Sequence, residues 1–208
     1  MANNKVITIG REFGSGGREI GERVAKLLDI PCFDRQLVEM ASEKMGVDSF
    51  HLEQVDEKAL SRFLESYWVP KRPNSVAGYG MALNDGMFIV QSAIIKSLVK
   101  DRPCVIVGRC ADYILRDYPN VLRLYVHAPF DYCVKKTMEV HPNFDEEEAK
   151  RFIRKTDKRR GDYYRYFTGN SWRDADNYDL CLNSSDLGWD KCVALTKAYL
   201  EIKLGISL

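Results

Sequence analysis

Short runs of apolar, mostly β-branched residues recur along the chain and predict buried strands of a parallel sheet. The clearest runs are Val6 to Ile9, Cys104 to Val107 and Val121 to Val126. Leu180 to Leu182 is a weaker run, and Pro31 to Phe33 is a very short one. We therefore expect a parallel sheet of about five strands.

Between these runs, the apolar residues follow the period of an amphipathic helix. After the first run, Ile20, Val24 and Leu28 fall on one helical face. Further helices are predicted near Leu37 to Ala41 and over 88–98, 131–140 and 189–203. Strands that alternate with helices form right-handed βαβ units with helices on both faces of the sheet. The pattern predicts a single three-layer α/β/α domain over residues 1–208.

Two segments interrupt this alternation. Residues 46–86 contain clustered Pro, Gly and aromatic residues with little regular period, which favours a helical insertion that ends in a loop. Residues 168–178 are rich in Gly, Asn, Asp and Ser, and they predict an irregular connection.

Composition narrows the class of protein. The chain has 208 residues, 45% of them apolar, and its formal net charge is +1, which is typical of a globular protein and excludes disordered and fibrous classes. No apolar run approaches the about 18 to 20 residues of a membrane-spanning helix, and the N-terminus has no secretory signal, so we expect a cytoplasmic protein. The six cysteines are scattered and never form C-x-x-C, which predicts buried, reduced thiols.

A glycine-rich segment, Gly14-Ser15-Gly16-Gly17, lies between the first predicted strand and the first predicted helix. Glycines allow several backbone N–H groups to point to one place, and the helix N-terminus adds a partial positive charge. This arrangement favours a phosphate-binding loop. A tight strand-to-helix turn without a ligand is the alternative.

The segment departs from the phosphate-loop consensus G-x-x-x-x-G-K-[ST]. With Gly16 as the second glycine, Gly17 stands in the lysine position, Arg18 in the hydroxyl position and Arg11 in the first-glycine position. Arg18 could supply the missing positive charge. Nearby side chains that could contact a metal ion are those of Glu12, Ser15 and Glu19.

A strongly basic segment precedes the second irregular region. Residues 150–165 contain eight basic and two acidic residues, a local net charge of +6. The segment continues into Tyr163-Tyr164-Arg165-Tyr166-Phe167, and a mobile tip that carries guanidinium groups is typical of a lid that closes over phosphates. A solvated basic helix face is the alternative.

Two further residues follow predicted strands at the edge where open α/β sheets bind ligands. Arg109 follows the Cys104 strand, and it serves either a ligand phosphate or a structural ion pair. Asp34 follows the short second strand, and it faces either a substrate or the N–H groups of the next helix as an N-cap. Aromatic residues such as Tyr113 and Trp172 are either base-stacking or packing residues.

Three segments together resemble the bacterial cytidylate kinase-like family, a divergent branch of the P-loop nucleoside monophosphate kinases. They are Ile7 to Arg18, Val105 to Arg109 and Tyr178 to Ser185. The resemblance implies a P-loop kinase fold with a helical acceptor-binding insertion over 35–86 and a lid over 154–177. It also implies ATP and Mg²⁺ as cofactors and transfer of the ATP γ-phosphate to a nucleoside monophosphate, with CMP or dCMP favoured.

The resemblance also assigns roles to individual residues. Arg109 would bind the acceptor phosphate and Asp34 the acceptor nucleoside, with Asp112 as the nearest acid after Arg109. The lid pattern R-x-x-x-D-x-x-R is matched by Lys158, Asp162 and Arg165. With Arg18 and Arg160 these three form the predicted catalytic group. The predicted donor-binding residues are Gly10, Arg11, Gly14, Ser15, Gly16, Gly17 and Arg18.

Two alternatives remain open: a kinase for a different small phosphorylated or hydroxylated acceptor, and a nucleotide-binding protein that has lost the lysine and with it turnover. The expected partners are thus a nucleotide donor and a small phosphorylated acceptor. The nearly neutral total charge disfavours nucleic acid as a partner, and no membrane partner is expected. Oligomeric state is not predicted.

Overall fold

A computed structural model describes residues 5–45 and 77–205 of the chain. A five-stranded sheet forms the centre of this part of the molecule. The strands are β1 (Val6–Arg11), β2 (Cys32–Phe33), β3 (Cys104–Val107), β4 (Val121–His127) and β5 (Leu180–Asn183). Each of the five predicted runs therefore forms a strand.

The helices flank the sheet in the expected alternation. They are α1 (Gly17–Leu27), α2 (Gln36–Met45), α3 (Ala77–Asp101), α4 (Ala111–Ile114), α5 (Phe130–Val140), α6 (Glu146–Thr168) and α7 (Ser184–Leu204). A short 3₁₀ turn spans Ala175–Asn177 within the predicted irregular connection. In the described segments, no helix combines the length and the apolar character needed to cross a membrane.

The strands run parallel in the order β2-β3-β1-β4-β5. On β1, Val6 pairs with Cys104 of β3 on one side and with Val121 of β4 on the other. Because β1 is central, the loop that follows it emerges in the middle of the carboxyl edge. The order changes direction at this point, which is where parallel α/β sheets bind ligands.

Alternating side chains divide the core into two layers. Val6 and Ile106 face a cluster built with α2, α3 and α4. Ile7 and Ile9 face a second cluster, which is built with α1 and α7. Both faces of the sheet are therefore covered, and this explains why the strands read as continuous apolar runs rather than as alternating ones. The three-layer α/β/α prediction is confirmed.

Helix α6 has a well-defined beginning and end. Asp145 caps it by accepting a hydrogen bond from the Glu148 N–H (2.7 Å), and the Glu148 carboxylate accepts from the Asp145 N–H (3.0 Å). At the other end, Gly169 takes the left-handed conformation (φ +77°) that closes many helices. The basic segment is thus one continuous helix of 23 residues.

Two predictions from the sequence need correction. The loop expected to end the insertion does not extend to residue 86, because residues 77–86 form the first turns of α3. The remainder of that prediction, residues 46–76, lies outside the described residues. Cysteines were expected to be buried, but Cys181 is exposed, because its position on β5 at the sheet edge leaves its side chain uncovered.

Candidate active site

The loop between β1 and α1 has a backbone that only glycine adopts readily. Gly14 and Gly16 have φ values of +79° and +78°. A Cβ at Gly14 would lie 2.6 Å from the Cys133 carbonyl oxygen, and one at Gly16 would overlap the Trp189 indole ring. Both glycines are therefore required by conformation and by close packing.

The hydroxyl groups of Ser15 and Ser184 hold this loop in place through hydrogen bonds to backbone carbonyl groups. The Ser15 hydroxyl donates to the Glu12 carbonyl (2.9 Å) and lies 3.1 Å from the Val126 carbonyl, while the Ser184 hydroxyl donates to the Ser15 carbonyl (2.6 Å). Within the described residues, the N–H groups of Gly14, Gly16 and Gly17 meet no protein acceptor. The loop thus presents N–H donors at a helix N-terminus, as an anion cradle requires.

Three guanidinium groups converge beside this loop. Arg11, Arg109 and Arg160 line one cavity of about 60 Å³ at the carboxyl edge of the sheet. They come from the end of β1, the turn after β3 and the middle of α6. Such a concentration of positive charge in a small cavity is suited to a phosphate group.

The turn that carries Arg109 is conformationally unusual. Gly108, Arg109 and Cys110 are all left-handed, with φ values of +76°, +58° and +53°. Left-handed backbone is costly for residues with a Cβ, so two such residues in succession must be held by their surroundings. The turn directs the Arg109 side chain into the cavity. Burial lowers the pKa of Arg109, and the nearby Arg11 charge acts in the same direction.

Asp112, which the resemblance suggests as a substrate-binding residue, lies in the wall of the same cavity. Its carboxylate is buried and accepts a hydrogen bond from the Tyr164 hydroxyl. Burial raises the pKa of Asp112, and the Tyr164 hydrogen bond opposes that shift. This pair ties α4 to α6, so Asp112 also supports the cavity wall.

Asp34 and Arg18 form an ion-pair cluster beside Arg11. Arg18 is about half exposed and pairs with Glu22 (3.0 Å) and Asp34 (3.5 Å). The Asp34 carboxylate also lies 4.0 Å from the Arg11 guanidinium. Asp34 therefore holds two arginines in place, and its carboxylate caps no helix by a hydrogen bond to the described backbone of α2.

Helix α6 divides the predicted catalytic group between two faces. Arg160 faces the loop and donates to the Arg11 carbonyl oxygen (3.2 Å). Lys158, Asp162 and Arg165 line a separate groove of about 470 Å³, which Asp157 and Arg173 also line and in which Lys158 and Asp162 are 2.7 Å apart. The structure thus brings Arg160 to the glycine loop but does not bring these three residues to the arginine-lined cavity. They lie about half a helical turn from Arg160, which explains the division.

Sequence reasoning missed a charged cluster that joins the loop to α6. Asp157 accepts a hydrogen bond from the Phe13 N–H (2.9 Å), and Arg173 pairs with Glu12 (3.0 Å) and Asp157 (3.8 Å). Burial raises the pKa of Asp157 to about 6, against the opposing effect of Arg160. In the sequence, Asp157 is one acid within a basic run. The only feature of the sequence that indicates a buried Asp157 is its position on the apolar side of the predicted helix.

The same contacts give protein partners to two of the side chains considered from the sequence as metal ligands. The Ser15 hydroxyl is buried and bonded to backbone carbonyls, and Glu12 is paired with Arg173. Glu12 also lies near the Ala128 N–H (3.5 Å).

Comparisons with known proteins agree with this architecture. The model of the cytidylate kinase-like family matches residues 6–186, and the chain belongs to that family. An uncharacterized protein from Eubacterium ventriosum has a similar structure, with 26% identity, a TM-score of 0.69 and coverage of 95% of this chain and 99% of that one.

A shikimate kinase from Bacteroides thetaiotaomicron shares the fold. Its identity is 12% and its TM-score 0.52, with coverage of 95% of this chain and 98% of that chain. The comparison with curated proteins found no match. The fold is therefore that of the P-loop kinases, and the family is kinase-like.

Proposed function

We propose that this protein transfers the γ-phosphate of ATP to a nucleoside monophosphate, with CMP or dCMP as the acceptor. The observation that carries the proposal is the convergence of Arg11, Arg109 and Arg160 in one cavity beside the glycine loop. A donor phosphate on the loop and an acceptor phosphate in the cavity would be neighbours, and holding two reactants in line supplies much of the rate enhancement in phosphoryl transfer.

The electrostatics of the cavity suit an acceptor that is itself an anion. Two phosphorylated substrates repel each other, so an enzyme that joins them must neutralise both. Three arginines that line a cavity of about 60 Å³ supply that neutralisation, with Asp34 4.0 Å from Arg11 and Asp157 3.5 Å from Arg160. A phosphate group suits a cavity lined by three arginines better than an uncharged hydroxyl group does, which is the reason for favouring a monophosphate.

In the proposed step, an oxygen of the acceptor phosphate attacks the γ-phosphorus of ATP. A new P–O bond forms, the bond from the γ-phosphorus to the β–γ bridging oxygen breaks, and its electron pair leaves with ADP. The attacking oxygen is already ionised near neutral pH, so no general base is needed. Arg160 and Arg109 neutralise the charge on the equatorial oxygens and on the acceptor respectively.

The loop fits the phosphates of ATP, because its N–H groups are available and its neighbours are arginines. In kinase sites the nucleotide phosphates and waters hold much of the magnesium coordination, with only one or two protein ligands. We assign no step to magnesium and expect it to enter with the nucleotide.

A binding panel tests the proposal. Thermal shift and calorimetry are measured with ATP, CMP, dCMP, UMP, AMP and GMP, each alone. We expect stabilisation by ATP and by CMP or dCMP. Stabilisation by ATP alone would favour a different acceptor or a nucleotide-binding protein without this activity. Stabilisation by none of them would overturn the proposal.

A further inference from the structure

Two departures from the phosphate-loop consensus lie next to each other in space. Arg11 stands in the position of the first glycine, and Gly17 stands in the position of the lysine. The two residues are six apart in the sequence. In the folded loop, a Cβ at Gly17 would lie 2.5 Å from the Cβ of Arg11 and 3.1 Å from its Cγ.

The Arg11 side chain therefore starts in the space that a side chain at position 17 would need. It then extends to the turn after β3, where its guanidinium occupies the place that a Cβ at Gly108 would take. Gly17 and Gly108 are thus both without a side chain where Arg11 passes. The side chain of Arg11 is 18% exposed, and its far end lies in the arginine-lined cavity.

The lysine of a standard phosphate loop extends from the same point toward the β- and γ-phosphates of the bound nucleotide. Arg18, the rival candidate by sequence, is about half exposed and is paired with Glu22 and Asp34. Arg11 is the cation that both starts beside position 17 and ends in the cavity. A guanidinium can also bind two phosphate oxygens at once, which lysine cannot.

We propose that the departures from the consensus at positions 11 and 17 are one coupled exchange. The consensus has its phosphate-binding cation at position 17, whereas this protein has it at position 11, as Arg11. Gly17 is then glycine because Arg11 fills its side-chain space, and the loop is a rearranged phosphate loop rather than a degraded one. This inference rests on the proposed function, since it names the cation that the loop itself adds to the phosphate site, beside Arg109 and Arg160.

A double-mutant cycle tests the exchange. Binding of ATP and of inorganic tripolyphosphate is measured by calorimetry, and the melting temperature is recorded, for the wild type, Arg11→Gly, Gly17→Lys and Arg11→Gly/Gly17→Lys, which close the cycle, and for Arg11→Ala. Lys26→Ala is the control, because Lys26 is an exposed cation on α1, the helix that follows the loop.

We expect Arg11→Ala to weaken ATP and tripolyphosphate binding at least about tenfold, as for loss of a charge-assisted hydrogen bond. Gly17→Lys alone should lower both the melting temperature and the affinity, because the two side chains overlap. The double variant should recover most of the melting temperature and return the affinity to within about threefold of wild type. Lys26→Ala should bind as wild type does.

The outcomes separate this inference from the proposed function. Wild-type protein that binds neither ATP nor tripolyphosphate would overturn both. Wild-type binding that is unchanged in Arg11→Ala would overturn the inference and leave the kinase proposal standing. A double variant no better than Gly17→Lys, in both affinity and melting temperature, would show that positions 11 and 17 are not coupled.

Discussion

The Asp157 carboxylate on α6 accepts a hydrogen bond of 2.9 Å from the Phe13 backbone N–H in the glycine loop. This contact joins two segments separated by 144 residues. The Arg160 guanidinium lies 5.5 Å from the Phe13 ring and 3.5 Å from the same carboxylate. The charge state of Asp157 therefore bears on both the shape of the loop and the position of Arg160.

The raised pKa of Asp157 predicts a pH-dependent stability. Because burial raises this pKa from 3.8 to about 6, the folded protein holds the proton more tightly than the unfolded chain does. This contribution to stability is complete below about pH 4 and is lost as the pH rises through about 6. Asp157→Asn removes the titration and keeps the oxygen that accepts from Phe13.

Chemical unfolding from pH 4 to pH 7 measures this effect. The free energy of unfolding of the wild type should fall with pH, relative to Asp157→Asn, by up to about 3 kcal/mol. Arg160, Arg173 and Glu12 surround the carboxyl and are the same in both proteins. Parallel stability curves would show that burial does not raise this pKa.

Gly16 and Gly169 form a matched pair for testing the packing of the loop. Both are left-handed, but a Cβ at Gly16 overlaps the Trp189 ring, whereas a Cβ at Gly169 meets nothing within 4 Å. Gly169→Ala should cost about 1 kcal/mol, from the backbone alone. Gly16→Ala should cost at least about 2 kcal/mol more, because the ring must move. Equal costs in thermal or chemical unfolding would contradict the close packing.

Arg109 should act on the acceptor. Arg109→Ala removes one of three guanidinium groups from the cavity, so the KM for the acceptor should rise about 10- to 100-fold while the KM for ATP changes far less. Arg116→Ala is the matched control, since Arg116 is exposed and pairs with Asp117. If Arg109→Ala instead unfolds, and its folded fraction has the same KM for the acceptor as the wild type, Arg109 has a structural role.

Arg160 should act on the transferred group. Steady-state kinetics of Arg160→Ala should show a kcat reduced by about 10³-fold, in the range of arginines that contact a transferring phosphoryl group. Lys155→Ala, on the exposed side of the same helix, should lower kcat less than about threefold. A comparable loss in both variants would mean that the helix acts through its total charge and not through the contact of Arg160 with the loop.

Much of the fold followed from local pattern. The strand residues Val6 to Ile9 and Cys104 to Val107 are buried on both faces of the sheet, so they carry a strong apolar signal. The beginning of α3 could not be predicted from local pattern, because Gly78, Tyr79 and Gly80 are poor helix formers.

The site was predictable only where its chemistry is local. The glycine loop and Arg109 directly follow strands, and strand order alone brings them to one edge. The contact of Asp157 with Phe13 depends on how α6 crosses the loop, which no local pattern encodes. Similarly, the relation between Arg11 and Gly17 depends on the path of one side chain through three dimensions.

The most direct test of the account is transfer of a labelled phosphate. Wild-type protein is incubated with ATP labelled at the γ-phosphate, magnesium, and CMP or dCMP in turn, and the nucleotide products are separated. We predict that the label appears in the corresponding diphosphate and that Arg160→Ala slows its appearance by about 10³-fold. ATP that binds but transfers no label to either monophosphate would contradict the account.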